Sequence, residues 1–275
     1  MDLATLLGLV VGWASVGAGA ILKGGKPEYY ISIPAFILVF GGTLGATMVS
    51  YSLKQILDLP KVTLRAFFHR PPDVLGTMNR LIRFADRARR EGLLSLEGEL
   101  REGDDPFLTK GVRLVVDGTD SAVVREILQT EIELMEERHR VGEGIYSTMA
   151  GFSPTLGIIG TVISLINMMQ QLDDPSKLGH MLAAAFIATL YGVALANLVF
   201  LPLSNKLRAR SQEEALLRQI VTEGVLAIQA GENPRLVEEK LRAFLPPALR
   251  AKVGREAAVH EGAARAPGTA TVGAR

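Results

Sequence analysis

GIYSTMAGFSPTLGIIGTVISLINMMQQL, residues Gly144–Leu172, decides the fold. It runs 29 residues without an Asp, Glu, Lys or Arg, in a chain that carries 30 Lys and Arg and 29 Asp and Glu. Three other windows share this property: Leu3–Leu22, Tyr29–Leu53 and Met181–Asn205. Each reaches the roughly 20 apolar residues that a helix needs to cross a bilayer. A helix of that length in a soluble core normally keeps a charged face. The windows therefore predict four transmembrane helices. The net charge of +1 and the 48% hydrophobic content average two regimes, since the rest of the chain is about one-third charged.

The segments between the windows set the topology. Residues 23–28 and 173–180 are too short for a domain, so the helices pair as two hairpins. The chain is predicted to divide into a first transmembrane hairpin (1–53), a helical cytoplasmic domain (54–143), a second hairpin (144–205), a helical tail (206–253) and a disordered C-terminus (254–275). The fold class is an all-α membrane protein with the cytoplasmic domain inserted between helices 2 and 3. The first window has no basic stretch before it and outruns the apolar core of a signal peptide, so it is expected to be retained. Eleven Lys and Arg, from Lys54 to Arg218, flank one side of the helices, against Lys23, Lys26 and Lys177 on the other. That asymmetry puts the insertion and both termini in the cytoplasm.

In the insertion, Pro71-Pro72-Asp73 opens a helix with Leu75, Met78, Ile82 and Ala85 at helical spacing and Gly92 as its stop. A second helix follows Asp104-Asp105-Pro106. A third starts near Asp120-Ser121, with no proline to prevent its running on into the membrane before Pro154.

Near-neutral charge and few aromatics argue against nucleic-acid binding. Without cysteine there is no disulfide scaffold and no thiolate site. His69, His139, His180 and His260 lack metal-ligand spacing. Gly24-Gly25-Lys26 lacks the first Gly and the Ser/Thr of a P-loop. Ser153 has only His180 near the membrane as a conceivable base, which leaves serine proteolysis without its machinery.

Polar residues inside the membrane windows carry the functional signal. Helices 1 and 2 show Gly8-xxx-Gly12 and Gly41-xxx-Gly45, which suit close packing either within the chain or between subunits. Helices 3 and 4 carry Ser153, Thr155, Thr161, Ser164, Thr189, Tyr191 and Asn197, with Pro154 and Pro202 each removing a backbone donor. Such hydroxyls either bond their own helix or line a polar seam shared by the two helices. No window contains an ionisable Asp, Glu, Lys or Arg, on which cation pathways normally depend. If this chain moves ions, another polypeptide must supply the carboxylate.

Several motifs agree in order and spacing with one known family. They are Met1-Asp2-Leu3-Ala4-Thr5-Leu6-Leu7-Gly8, Arg87-Ala88-Arg89-Arg90-Glu91-Gly92-Leu93-Leu94-Ser95-Leu96-Glu97, Val115–Asp120, Glu137-Arg138-His139, Pro154–Thr161, Thr189-Leu190-Tyr191-Gly192 and Leu201-Pro202-Leu203. Over residues 1 to about 250 the chain resembles the MotA/PomA subunits of the bacterial flagellar stator, in the wider family of TolQ and ExbB. The resemblance implies a pentameric ring in the inner membrane around a dimer of MotB-like subunits. Each partner would contribute one helix with the ion-carrying Asp. Ion flow would turn the ring and drive the rotor protein FliG through charged contacts.

By position the resemblance makes Arg89 and Glu97, with Arg90 beside them, rotor-contact residues. It makes Pro154 and Pro202 coupling prolines, and Thr161 and Thr189 pore-facing. It implies no enzymatic activity and no cofactor beyond the transported sodium or proton. A hydroxyl at 161 inclines the choice to sodium, and Ala188, where several relatives have a second Thr, weighs against it. The alternative is a TolQ/ExbB-type proton-channel subunit energising an envelope process. Those relatives follow a three-helix pattern, whereas the hairpin of helices 1 and 2, turning at Lys23–Glu28, favours the stator. A scaffold without transport, its Thr residues serving only packing, is the remaining reading.

Overall fold

The computed structural model describes residues 3–68, 73–100, 103–171 and 175–250, all helix and connecting turn without a strand among them. Four helical stretches are long and apolar enough to cross a membrane. The first, α1 (Leu3–Leu22), coincides with the first uncharged window. A short 3-10 turn, Pro27–Tyr30, leads through extended Ile31 and Ser32 into the second. That span comprises α2 (Ile33–Phe36), a π turn (Ile37–Gly41) and α3 (Gly42–Ser50). Ser32 caps it, its hydroxyl accepting the Ala35 N–H.

An amphipathic helix follows that the charge pattern did not single out, α4 (Leu53–Phe68). Its Ile56 and Leu59 pack on a cluster of Ile145, Tyr146, Met149, Phe200 and Leu203. The Thr63 and Tyr146 hydroxyls bond, as do those of Tyr51 and Thr148 at 3.0 Å. Pro60 and the interspersed charges break the apolar run that would otherwise mark this helix in the sequence.

The insertion continues as expected. α5 (Val74–Glu91) is capped by Asp73, whose carboxylate accepts the Gly76 N–H, and it stops at Gly92. Gly92 adopts φ +86°, a left-handed conformation that favours glycine. A 3-10 segment, Leu93–Glu99, precedes α6 (Pro106–Val116), capped by Asp105. The third helix, α7, runs unbroken from Ser121 to Met169 and passes straight through Pro154. α8 (Pro175–Leu195) gives way to a π turn, Ala196–Phe200, then to α9 (Leu201–Gln229). Leu201 N–H reaches back to the Ala196 carbonyl, and Pro202 next along has no N–H to offer. The wider turn sits where the proline interrupts regular bonding. α10 (Pro234–Arg242) and α11 (Pro247–Arg250) complete the described chain. The C-terminus predicted as disordered, 254–275, lies outside the described residues, as do Pro71 and Pro72.

Two compact units emerge: residues 1–70 with 136–212, and 71–135 with 213–275. The second unit is built on one apolar core. Met78, Leu81 and Phe84 from α5, Leu96, Phe107 and Val112, and Leu128 and Ile132 from α7 meet Ile220, Val225 and Leu241 there. Each such fully buried side chain contributes roughly 1.5–3 kcal/mol.

Of the two packings their spacing allows, the glycine pairs of helices 1 and 2 show no close one within the chain. A Cβ built on Gly8, Gly41 or Gly45 meets nothing within 4 Å, and one on Gly12 only touches Leu198 at 3.4 Å. The closest approaches of one helix backbone to another fall between helices 3 and 4.

Candidate ion pathway

Where α7 crosses α8, backbones touch. A Cβ on Gly192 would lie 2.6 Å from the Ser153 carbonyl oxygen and 3.1 Å from the Gly157 Cα. One on Gly157 would lie 2.9 Å from the Ala188 carbonyl oxygen, and one on Gly160 would lie 2.7 Å from the Ala188 Cβ. Only residues without a side chain allow this separation, as in small-residue packing generally. Glycines 157, 160 and 192 carry the contact, and the sequence reading passed over them for the more regular pairs in helices 1 and 2. Their spacing against Ser153 and Thr161 on one helical face was the available signal.

The approach brings polar groups together without charge. Ser153, fully buried, donates its hydroxyl to the Gly192 carbonyl at 3.0 Å. About two turns along α7, the Thr161 Oγ1 lies 2.5 Å from the Thr189 Oγ1. It also lies 3.2 Å from its own helix's Gly157 carbonyl and 3.1 Å from the Ala185 carbonyl across the seam. A hydroxyl has one proton, so it cannot fully satisfy both carbonyls while also donating to Thr189. Three oxygens thus gather around the half-buried Thr161 hydroxyl, a neutral polar cluster where the two helices meet.

The remaining polar residues separate by face. Thr155 is exposed and bonds the Phe152 carbonyl at 2.7 Å, and exposed Asn197 bonds the Val193 carbonyl at 2.9 Å. Both satisfy themselves on their own helix. Tyr191 turns away from the seam to helix 2. Its hydroxyl donates to the Tyr30 carbonyl at 2.6 Å and accepts the Ser32 N–H at 3.0 Å. These backbone groups flank the extended Ile31–Ser32 step, where no helix provides them with partners. Ala188 is buried with Ala35 and Val39. Its methyl therefore faces helix packing and not the threonine pair.

Pro154 sits at the crossing, its Cα 3.2 Å from where a Gly192 Cβ would be. Pro202 is exposed just past the π turn at the other end of the span. The two prolines thus occupy different settings, one in the contact and one beside an irregular turn.

Arg89 and Arg90 lie exposed in the last turn of α5, and Glu97 lies exposed on the following 3-10 segment. Arg90 pairs with Asp86 one turn back at 2.9 Å, and Arg87 pairs with both Glu91 and Glu99. Arg89 and Glu97 are the charges of this stretch left without an ion-pair partner among the described residues.

Comparison with known proteins now bears on this arrangement. Residues 99–220 match the model of the MotA/TolQ/ExbB proton channel family. The chemotaxis protein PomA of Vibrio alginolyticus is 37% identical over 251 residues, 91% of this chain and 98% of that protein. Motility protein A of Borreliella burgdorferi is 40% identical over 255 residues, 90% of this chain and 96% of that one. The solved structure of C. jejuni MotAB superposes with a TM-score of 0.85 at 31% identity, covering 90% of this chain and 97% of that chain.

Proposed function

The chain belongs to the MotA/TolQ/ExbB proton channel family as a flagellar motor stator subunit, and from that premise we propose how its residues do the work. With a MotB-like partner it forms an inner-membrane channel that couples cation flow to torque on the rotor. The observation that carries this reading is the seam of α7 and α8: convergent hydroxyls and carbonyls, with no charged residue in any of the four windows. Thr161 and Thr189 line the path and relieve part of the ion's dehydration cost. The ionisable group is an Asp on the partner's single helix, since proton and cation steps in a membrane need one.

The ring is a pentamer around two partner helices, with both termini and the charged insertion in the cytoplasm. There Arg89 and Glu97, with Arg90 beside them, meet the rotor protein FliG. Pro154, within the helix crossing, and Pro202, beside the π turn, are where the helices change shape as an ion passes. No resident cofactor is needed, and sodium or a proton is cargo. The chain is a conducting and force-bearing subunit, not an enzyme.

The test is torque from the full chain expressed with its partner in cells lacking their own stator, with external sodium and pH varied separately. Rotation that tracks one ion and disappears when the partner's membrane Asp becomes Asn supports the reading. Rotation that survives that change would refute it. Growth-linked envelope phenotypes without any rotation would favour the envelope-energising alternative.

A further inference from the structure

The segment between α5 and α6 is built to hold still. Gly92 turns the chain at φ +86°, and the Ser95 hydroxyl donates to the Gly92 carbonyl at 2.7 Å. The Arg87 guanidinium clasps Glu91 on its own helix and Glu99 on the 3-10 segment, fastening the two together. Three of the segment's leucines serve the core: Leu96 is completely buried, and Leu93 and Leu100 pack against the same cluster. The fourth, Leu94, points out. At 73% it is more exposed than the other exposed large apolar residues of its unit, Val123, Leu134 and Leu236.

An isolated exposed leucine is ordinary. This one differs in its setting, on a buttressed turn bordered by Arg89 before it and Glu97 after it, the two charges of the stretch left unpaired among the described residues. An apolar side chain on a braced segment, flanked by charges of opposite sign without ion-pair partners, has the layout of an interface patch: an apolar centre with a polar rim. Rigidity lowers the ordering cost of binding.

We propose that Leu94 is the apolar anchor of the surface that carries Arg89 and Glu97, and that it inserts into an apolar recess on the rotor face. That recess is bordered by an acidic group facing Arg89 and a basic group facing Glu97. The inference rests on the rotor-contact reading of those two charges and adds a contact that charge alone does not supply. Charged contacts steer the encounter and weaken with salt, whereas a buried leucine lengthens the residence of each bound state.

The test uses the full chain with its partner in cells lacking a native stator. It reads membrane level, detergent-extracted complex size, swimming speed and the residence time of fluorescent stators at the motor. Leu94→Ala and Leu94→Asn should leave level and size unchanged and shorten residence at least tenfold, while Leu94→Met should stay near the parent. Parent-like residence in both polar and small variants, with Arg89→Glu and Glu97→Lys still impairing rotation, would overturn the anchor and leave the charged contact standing. Parent-like rotation in all of these variants would remove both. A fall in complex size in the Leu94 variants would overturn the proposal by assigning the residue to contacts between copies of this chain.

Discussion

The helix crossing in the membrane and the charged second unit are held together by different means. At the crossing, the contact is backbone against backbone, with hydroxyls spanning the narrow gap. In the charged unit, large apolar side chains fill a common core, and charges pair around it, as in Lys110–Glu131 and Arg125–Glu223 at 2.6 Å each. Lipid provides no hydrophobic drive between helices, so close packing and internal hydrogen bonds must hold the membrane unit. Water supplies that drive to the other unit, and its surface pairs add little. The difference determines which residues are informative. In the membrane it is the few polar atoms that bond between helices, and in the charged unit it is exposed residues such as Arg89, Leu94 and Glu97 that the core and the ion pairs leave aside.

Breaking the crossing should have the largest effect. Gly192→Val places a branched side chain against the Ser153 carbonyl and the Pro154 Cα, and backbone cannot yield as a flexible side chain does. Overpacking of this kind costs about 1–3 kcal/mol or more. The expected outcome is loss of the extracted complex, or a large drop in its Tm, with rotation abolished. Tyr191→Phe comes next. It leaves the Tyr30 carbonyl and the Ser32 N–H without their partner, at about 1–3 kcal/mol for each group left unmet. Faster amide exchange around residues 30–32 and a Tm lowered by a few degrees should accompany it, with the crossing itself intact.

The charged unit's side of the comparison sharpens through smaller effects. Arg89→Glu and Glu97→Lys should each reduce swimming speed severalfold without changing complex stability. Arg90→Ala removes an exposed pair worth at most about 1 kcal/mol and should slow swimming less than Arg89→Ala does. Gly8→Ala should be smallest of all for the isolated fold, because nothing lies within 4 Å of the added methyl. A complex that loses subunits in Gly8→Ala would place that face between copies of the chain.

Much of this architecture is legible in the sequence, and the physical reason is lipid. Charge exclusion marks α1 to the residue, and Asp73 and Asp105, which cap orphan N–H groups, with Gly92, which turns the chain at positive φ, mark the helices of the charged unit. The run of α7 into the apolar window follows from the lack of a proline before Pro154, whereas its passage through Pro154 itself carries no such signal. α4 was missed because it is neither wholly apolar nor cleanly alternating, and its proline imitates a terminator. Within the site, residue type gave Thr161 and Thr189 only among seven polar residues of helices 3 and 4, and it was the family resemblance that singled them out by position. Residue type could not separate them from Thr155 and Asn197, since facing direction depends on which helix lies alongside. Tyr191 carried a polar atom at membrane depth, but its partners are backbone groups 159 and 161 positions away, and no local pattern encodes that.

The most direct test of the central claim is the ion dependence of rotation in Thr161→Ala and Thr161→Ser, measured with the partner present and with sodium and pH varied separately. If the Thr161–Thr189 oxygens line the path, the alanine variant should need roughly tenfold more of the driving ion to reach half-maximal speed, about 1.4 kcal/mol of lost ligation. The serine variant, which keeps the hydroxyl, should remain close to the parent. An alanine variant with unchanged dependence on both ions, at normal membrane level, would contradict the account and return the pair to a packing role.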